Sequence, residues 1–143
     1  MATWGGGRKP KLRTFIRIHD FSSTQLLVRA NLTRYQRSLV SQFKLGILPL
    51  KIETDRYQGI APENRLCKVC SLNVPEDETH FLFQCPELDF IRRHELDQFD
   101  SVRSASDDIE TVKAMLLRTN IKQFAIFLEK MYKGRQKILY RIR

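Results

Sequence analysis

What the chain lacks narrows it first. Its 143 residues hold no stretch approaching the ~20 consecutive apolar residues that a membrane-spanning helix needs, so no membrane span is expected. The first ten residues, Met1 to Pro10, contain no apolar run and do not read as a secretory signal. Cysteine is scarce and odd in number. Three cysteines would leave one over in a closed disulfide framework, which favours a reducing, intracellular setting, nucleus or cytoplasm. Signatures of catalysis are missing as well. There is no phosphate loop of the G-x4-G-K-[ST] type. No Ser or Cys sits in a convincing nucleophile signature. Asp107-Asp108 follows Ala105-Ser106 at an apparent helix start and reads as a cap, not a two-metal aspartate turn. Glu129-Lys130 alone does not make a nuclease site. The expectation is a protein that is not an enzyme.

What is there is basic and globular. A hydrophobic content of 42% is too high for a chain disordered throughout, and the length suits one domain with a helical appendage. Lys+Arg outnumber Asp+Glu by 25 to 16, for a net charge of +9. The excess is uneven. Residues 1–60 carry 11 Lys/Arg against 3 Asp/Glu, residues 61–110 carry 5 against 12, and residues 111–143 carry 9 against 1. Two basic arms therefore flank an acidic centre. The arms can face a polyanion such as nucleic acid, or dock on the centre within one fold.

Residues 1–13 read as a flexible basic leader, residues 14–100 as a helical domain and residues 101–143 as basic C-terminal helices. Phe15, Ile16, Ile18 and Phe21 make a short apolar segment, and Ser22-Ser23-Thr24 can cap a short helix over 25–30. Thr33-Arg34-Tyr35-Gln36 has the form of a capping box. Tyr35, Leu39, Phe43 and Ile47 follow at intervals of four, which predicts a helix over about 33–45, stopped by Gly46 and Pro49. Its other face carries Arg34, Arg37, Ser41 and Lys44. Residues 48–60 read as an extended linker or loop, and residues 61–64 as a turn. The acidic run at Pro75-Glu76-Asp77-Glu78 suits a helix N-terminus, and the helical pattern continues past Pro86 to about 98. Residues 101–106 read as a loop, and a helix follows with Ile109, Val112, Met115 and Leu116 on one face. Ile121, Phe124, Ala125, Leu128 and Tyr132 form a last amphipathic helix with Gly134 as its weak point. Strand signals are poor, so the fold class is mostly α.

All three cysteines and one histidine fall within residues 67–85, as Cys67-x2-Cys70-x9-His80-x4-Cys85. Zn²⁺ takes four S or N ligands in a tetrahedron, and two cysteines two residues apart grip one ion from a tight turn. A redox dithiol and plain buried thiols are the alternatives. His94 is a possible competitor to His80, and His19 has no such company. Five residues from His80 to Cys85 span about 500° of α-helix, some 140° off alignment, so the helix should be distorted there. Pro86 fits that expectation. One Zn²⁺ with three thiolates leaves a centre of about −1. Glu63, Glu76, Asp77 and Glu78 surround it, so the site reads as a structural staple and not a phosphate binder.

Several further residues carry a resemblance: Arg37-Ser38, Phe43, Gly46, Leu48-Pro49-Leu50, Ile52-Glu53-Thr54, Arg56-Tyr57, Arg65 to Cys70, and Glu76 to Pro86, in that order. Over about residues 32–95 the chain resembles the zinc-binding CCHC tail that follows the reverse transcriptase of non-LTR retrotransposons, with Asp55 where that tail usually has Gly. The resemblance implies Cys67, Cys70, His80 and Cys85 as Zn²⁺ ligands. It also implies a role near RNA or DNA. The remaining length holds no polymerase core.

Together these readings predict a small, mostly α-helical domain stapled by a CCHC zinc site, with a C-terminal helical extension. Candidate phosphate contacts are Arg34, Arg37 and Lys44 on one helix, and Lys130, Lys133, Lys137 and Arg141 on the last, if Gly134 does not break it. The bland alternative for both stripes is a solvated face. Tyr57 or Trp4 can stack on bases. The expected function is RNA or DNA binding through the basic flanks. The alternative is an interaction module whose basic tail, residues 121–141, docks an acidic protein or an anionic surface.

Overall fold

A computed structural model describes residues 31–97, 99, 111, 112, 115 and 121–142. The basic leader, the segment over 14–30 with His19, Trp4 and the loop at 101–106 lie outside these residues, as does most of the helix expected after it.

The first described helix, α1, spans Arg34–Leu45. Its start is the expected capping box. The Thr33 hydroxyl accepts from the Gln36 amide at 3.0 Å, and the Gln36 side chain accepts from the Thr33 amide at 3.1 Å. Gly46 ends it at φ 73°, and the Ile47 amide reaches back to the Gln42 carbonyl. The buried face differs from the expected stripe. Gln36, Leu39, Val40, Phe43 and Lys44 are buried, while Tyr35 is exposed.

Residues 48–60 are not an extended linker. Leu48 and Leu50 are fully buried and lead into a short helix, α2, at Lys51–Thr54. A 3₁₀ turn at Asp55–Gln58 follows and closes at Gly59, φ 71°. Asp55 is buried in this turn and pairs with Lys51 at 2.7 Å, the i,i+4 partner one turn back. The expected turn after it is a 3₁₀ turn at Pro62–Asn64. Downstream of the cysteines, α3 covers Asp89–Glu95.

The last helix, α4, runs unbroken over Ile121–Ile142, so Gly134 does not interrupt it. A Cβ added to Gly134 would come within 2.2 Å of Ile91 Cδ1, so glycine here lets α3 seat closely on α4. Nor is α4 a free tail. Phe124, Phe127, Leu128 and Met131 are fully buried in one hydrophobic core with Phe43, Phe81, Leu82 and Leu88. Phe43 meets Phe124 edge-on at 5.5 Å, and Phe99 meets Phe127 at 5.7 Å. Each such ring contributes about 1.5–3 kcal/mol by leaving water. Gln36 adds a polar link between helices, donating to Glu129 at 2.9 Å and accepting from Lys122 at 3.0 Å. The described fold is mostly α-helical. Its single β feature is an isolated antiparallel bridge between Leu66 and Pro75.

Candidate metal centre

The bridge at Leu66 and Pro75 builds the first half of the site. Cys67 donates its amide to the Val74 carbonyl at 2.8 Å, and Glu76 donates to the Arg65 carbonyl at 3.0 Å. The chain between them turns tightly, with Asn73 left-handed at φ 57°, a conformation asparagine tolerates. Cys67 and Cys70 sit on this knuckle.

The second half is a π-helical turn at His80–Gln84. Asp77 starts it, accepting from the His80 amide at 2.9 Å and from the Thr79 hydroxyl at 3.0 Å. The Cys85 amide donates to the His80 carbonyl at 2.7 Å, an i→i+5 bond. That bond wraps one more residue into the turn and brings residue i+5 back over residue i. This is the expected distortion. Pro86 then opens a 3₁₀ turn at Pro86–Leu88.

The four side chains converge. Their ligand atoms all lie within 4.8 Å of one another. Cys67 Sγ is 4.0 Å from Cys85 Sγ, and Cys70 Sγ is 3.5 Å from His80 Nε2. A Zn²⁺ tetrahedron with bonds of about 2.3 Å to S and 2.0 Å to N has edges of about 3.8 Å (S···S) and 3.6 Å (S···N). The residues fit a four-coordinate ion. His94 is exposed and takes no part.

The three thiols are shifted differently. The Cys67 thiol, hydrogen-bonded to Cys85 and buried, is pushed up to about 12, and burial also raises Cys70. Cys85, accepting from Cys67, is drawn down.

Buried charges brace the site, and the sequence reading missed them. Arg92 donates to the carbonyls of Leu82 (2.8 Å), Cys85 (2.9 Å) and Phe81 (3.4 Å), tying the π turn to the start of the next turn from one buried guanidinium. Arg65 donates to the carbonyls of Ile60 and Ile52. Glu76 is 1% exposed and forms a bidentate pair with Arg135 of α4. It also accepts from the Lys51 amide at 2.8 Å, capping α2 from a distance. Glu78 is buried too. The acidic surroundings expected at the site are therefore partly internal.

The expected phosphate contacts separate into two groups. Arg34, Arg37, Lys137 and Arg141 are exposed and have no carboxylate partner among the described residues. Lys44 is buried and leaves the face it was expected to share with Arg34 and Arg37, and burial pulls its ammonium below the ordinary lysine range. Lys130 pairs with Glu95 and Lys133 with Glu129, each at 2.8 Å. Tyr57 is exposed, its hydroxyl bonded to Glu53 and its ring under Arg56. No described helix is long and apolar enough to cross a membrane. No protein-family model, curated protein or solved structure matches the chain.

Proposed function

We propose that the chain is a zinc-stabilised, retroelement-derived nucleic-acid-binding module with no catalytic activity of its own. Cys67, Cys70, His80 and Cys85 hold one Zn²⁺, which ties the knuckle to the π turn and supplies folding energy. Three thiolates suit a soft, borderline metal over Mg²⁺ or Ca²⁺, and a tetrahedral closed set is structural in kind. Arg34 and Arg37 on α1, with Lys137 and Arg141 on α4, contact phosphates. The observation that carries this reading is the exposure of these four cations without carboxylate partners among the described residues. The likeness of residues 32–95 to a retroelement tail supports it.

The metal and ligand claims are tested apart. Purified chain should carry one Zn²⁺, and Cys70→Ser should lose it along with much of the helical circular dichroism. A fold untouched by strong chelation rules out the staple. An oligonucleotide titration should show affinity falling steeply with salt, and Arg34→Ala with Arg37→Ala should flatten that slope. No detectable binding of RNA or DNA at low salt rules out the nucleic-acid reading.

A second reading, a protein-interaction module, is favoured by one observation: an open groove of about 1130 Å³ between α3 and the C-terminal half of α4.

A further inference from the structure

The groove has an apolar floor. Ile91, Gly134 and Leu139 line it, and Phe90 and Tyr140 stand on its walls 52% and 76% exposed. Large aromatic rings left this open at one groove mark a contact surface, since Phe43, Phe81, Phe99, Phe124 and Phe127 are all fully buried. Lys130 and Arg141 mark its ends along α4, about 16 Å of helix at 1.5 Å per residue, which matches three turns of a second helix.

Charge chooses the occupant. Two of the rim cations are already matched, Lys130 by Glu95 and Lys133 by Glu129. Pairing leaves these two positions little net charge to offer a phosphate chain. Lys137 and Arg141 remain without carboxylate partners among the described residues, four positions apart on one helix. Two cations one turn apart match two carboxylates one turn apart on a facing helix, not the continuous row of charge that a nucleic-acid backbone presents. A second copy paired symmetrically through this face would set two grooves with excess positive charge against each other.

We propose that the groove between α3 and α4 binds an amphipathic helix of a protein partner, with an apolar stripe on the floor and a pair of acidic residues, one turn apart, on Lys137 and Arg141. The inference goes beyond the nucleic-acid reading and competes with it for Lys137 and Arg141, leaving Arg34 and Arg37 to that reading.

The test is a displayed library of helical peptides, with apolar stripe and charges randomised, selected on the full zinc-loaded chain. Selected peptides should combine an apolar i, i+3, i+4, i+7 stripe with acidic pairs. A synthetic peptide of the selected sequence should lose about tenfold or more in affinity to Phe90→Ala with Tyr140→Ala, both solvent-facing changes that leave the fold's circular dichroism intact. Lys137→Glu with Arg141→Glu should turn the selection towards basic peptides. The proposal is overturned by no enrichment, as when the chain's own residues fill the groove. It is also overturned by enrichment without acidic bias, by binding indifferent to Phe90 and Tyr140, or by a chain that self-associates through this face. Oligonucleotide binding that drops with Phe90→Ala and Tyr140→Ala would give the groove to nucleic acid instead. Oligonucleotide binding that drops with Arg34→Ala and Arg37→Ala but not with Lys137→Glu and Arg141→Glu confines the phosphate contacts to α1 and supports the groove assignment, whereas absence of oligonucleotide binding removes the nucleic-acid reading alone.

Discussion

Glu76 and Arg135 form a buried bidentate ion pair across 59 positions of sequence, with contacts of 2.6 and 2.9 Å. The carboxylate belongs to the metal knuckle and the guanidinium to the last helix. Removing one partner strands a charge in the core, whereas removing both need not. Arg135→Met should cost about 3–5 kcal/mol, and adding Glu76→Gln should recover much of it. The amide of Gln retains an acceptor for the Lys51 amide. Urea unfolding of the zinc-loaded chain measures both, and strictly additive losses would show that the pair is not coupled.

Metal affinity should rise with pH. Binding requires thiolates, and the Cys67 thiol is pushed up by its hydrogen bond to Cys85 and by burial, the Cys70 thiol by burial. Each gives up a proton when the ion enters, so lowering the pH favours the free site. Between pH 6 and 8 the logarithm of the apparent affinity should climb with a slope of about two or more per pH unit. Competition against a chromophoric chelator reads the slope, and a value below one contradicts the proton count.

Arg92 should tune the site without touching the ion. Its guanidinium holds the carbonyls of Leu82 and Cys85, which set where the Cys85 sulfur points. Arg92→Leu should lower metal affinity by about tenfold or more, the usual scale for outer contacts of a metal ligand. Arg92→Lys keeps the charge but not the fork, and should rescue only part. Equal affinities for all three chains would mean that the carbonyls need no such partner.

Gly134 and Ile91 should show a coupled response. Alanine gains about 1 kcal/mol over glycine inside a helix, but at Gly134 its Cβ meets Ile91 Cδ1. Gly134→Ala should therefore be near neutral alone, because the end of the isoleucine side chain can swing aside. Ile91→Val removes the colliding methyl, and Gly134→Ala in that background should stabilise. Gly134→Leu should destabilise by prising α3 from α4. Thermal unfolding of the four chains decides it, and identical effects of Gly134→Ala in both backgrounds would exclude the contact.

Local chemistry was readable in the sequence where the partners lie close along the chain. Thr33 and Gln36 are three residues apart, and their capping box is as expected. The four converging Cys/His side chains and the distortion between His80 and Cys85 followed from spacing alone. Contacts set by tertiary packing were not readable. Glu76 looked like one more carboxylate at a helix start, because its partner is far away. Lys44 sat at a polar position of α1, yet α1 buries it. Residues 48–60 have no helical period, but Leu48 and Leu50 bury and Glu76 caps the turn that follows. Gly134 read as a weak point of the last helix, and it is a contact point for α3.

The π turn at His80–Gln84 makes the interval between His80 and Cys85 a matter of counting. An ordinary helical turn advances about 100° per residue, so deleting or inserting a single residue there would swing the last sulfur away from the other three donors. Side-chain identity within Phe81–Gln84 can drift as far as packing allows, but the segment's length cannot. Length variation in related chains should gather in the knuckle tip beyond Cys70, residues 71–73, and spare the four positions between His80 and Cys85.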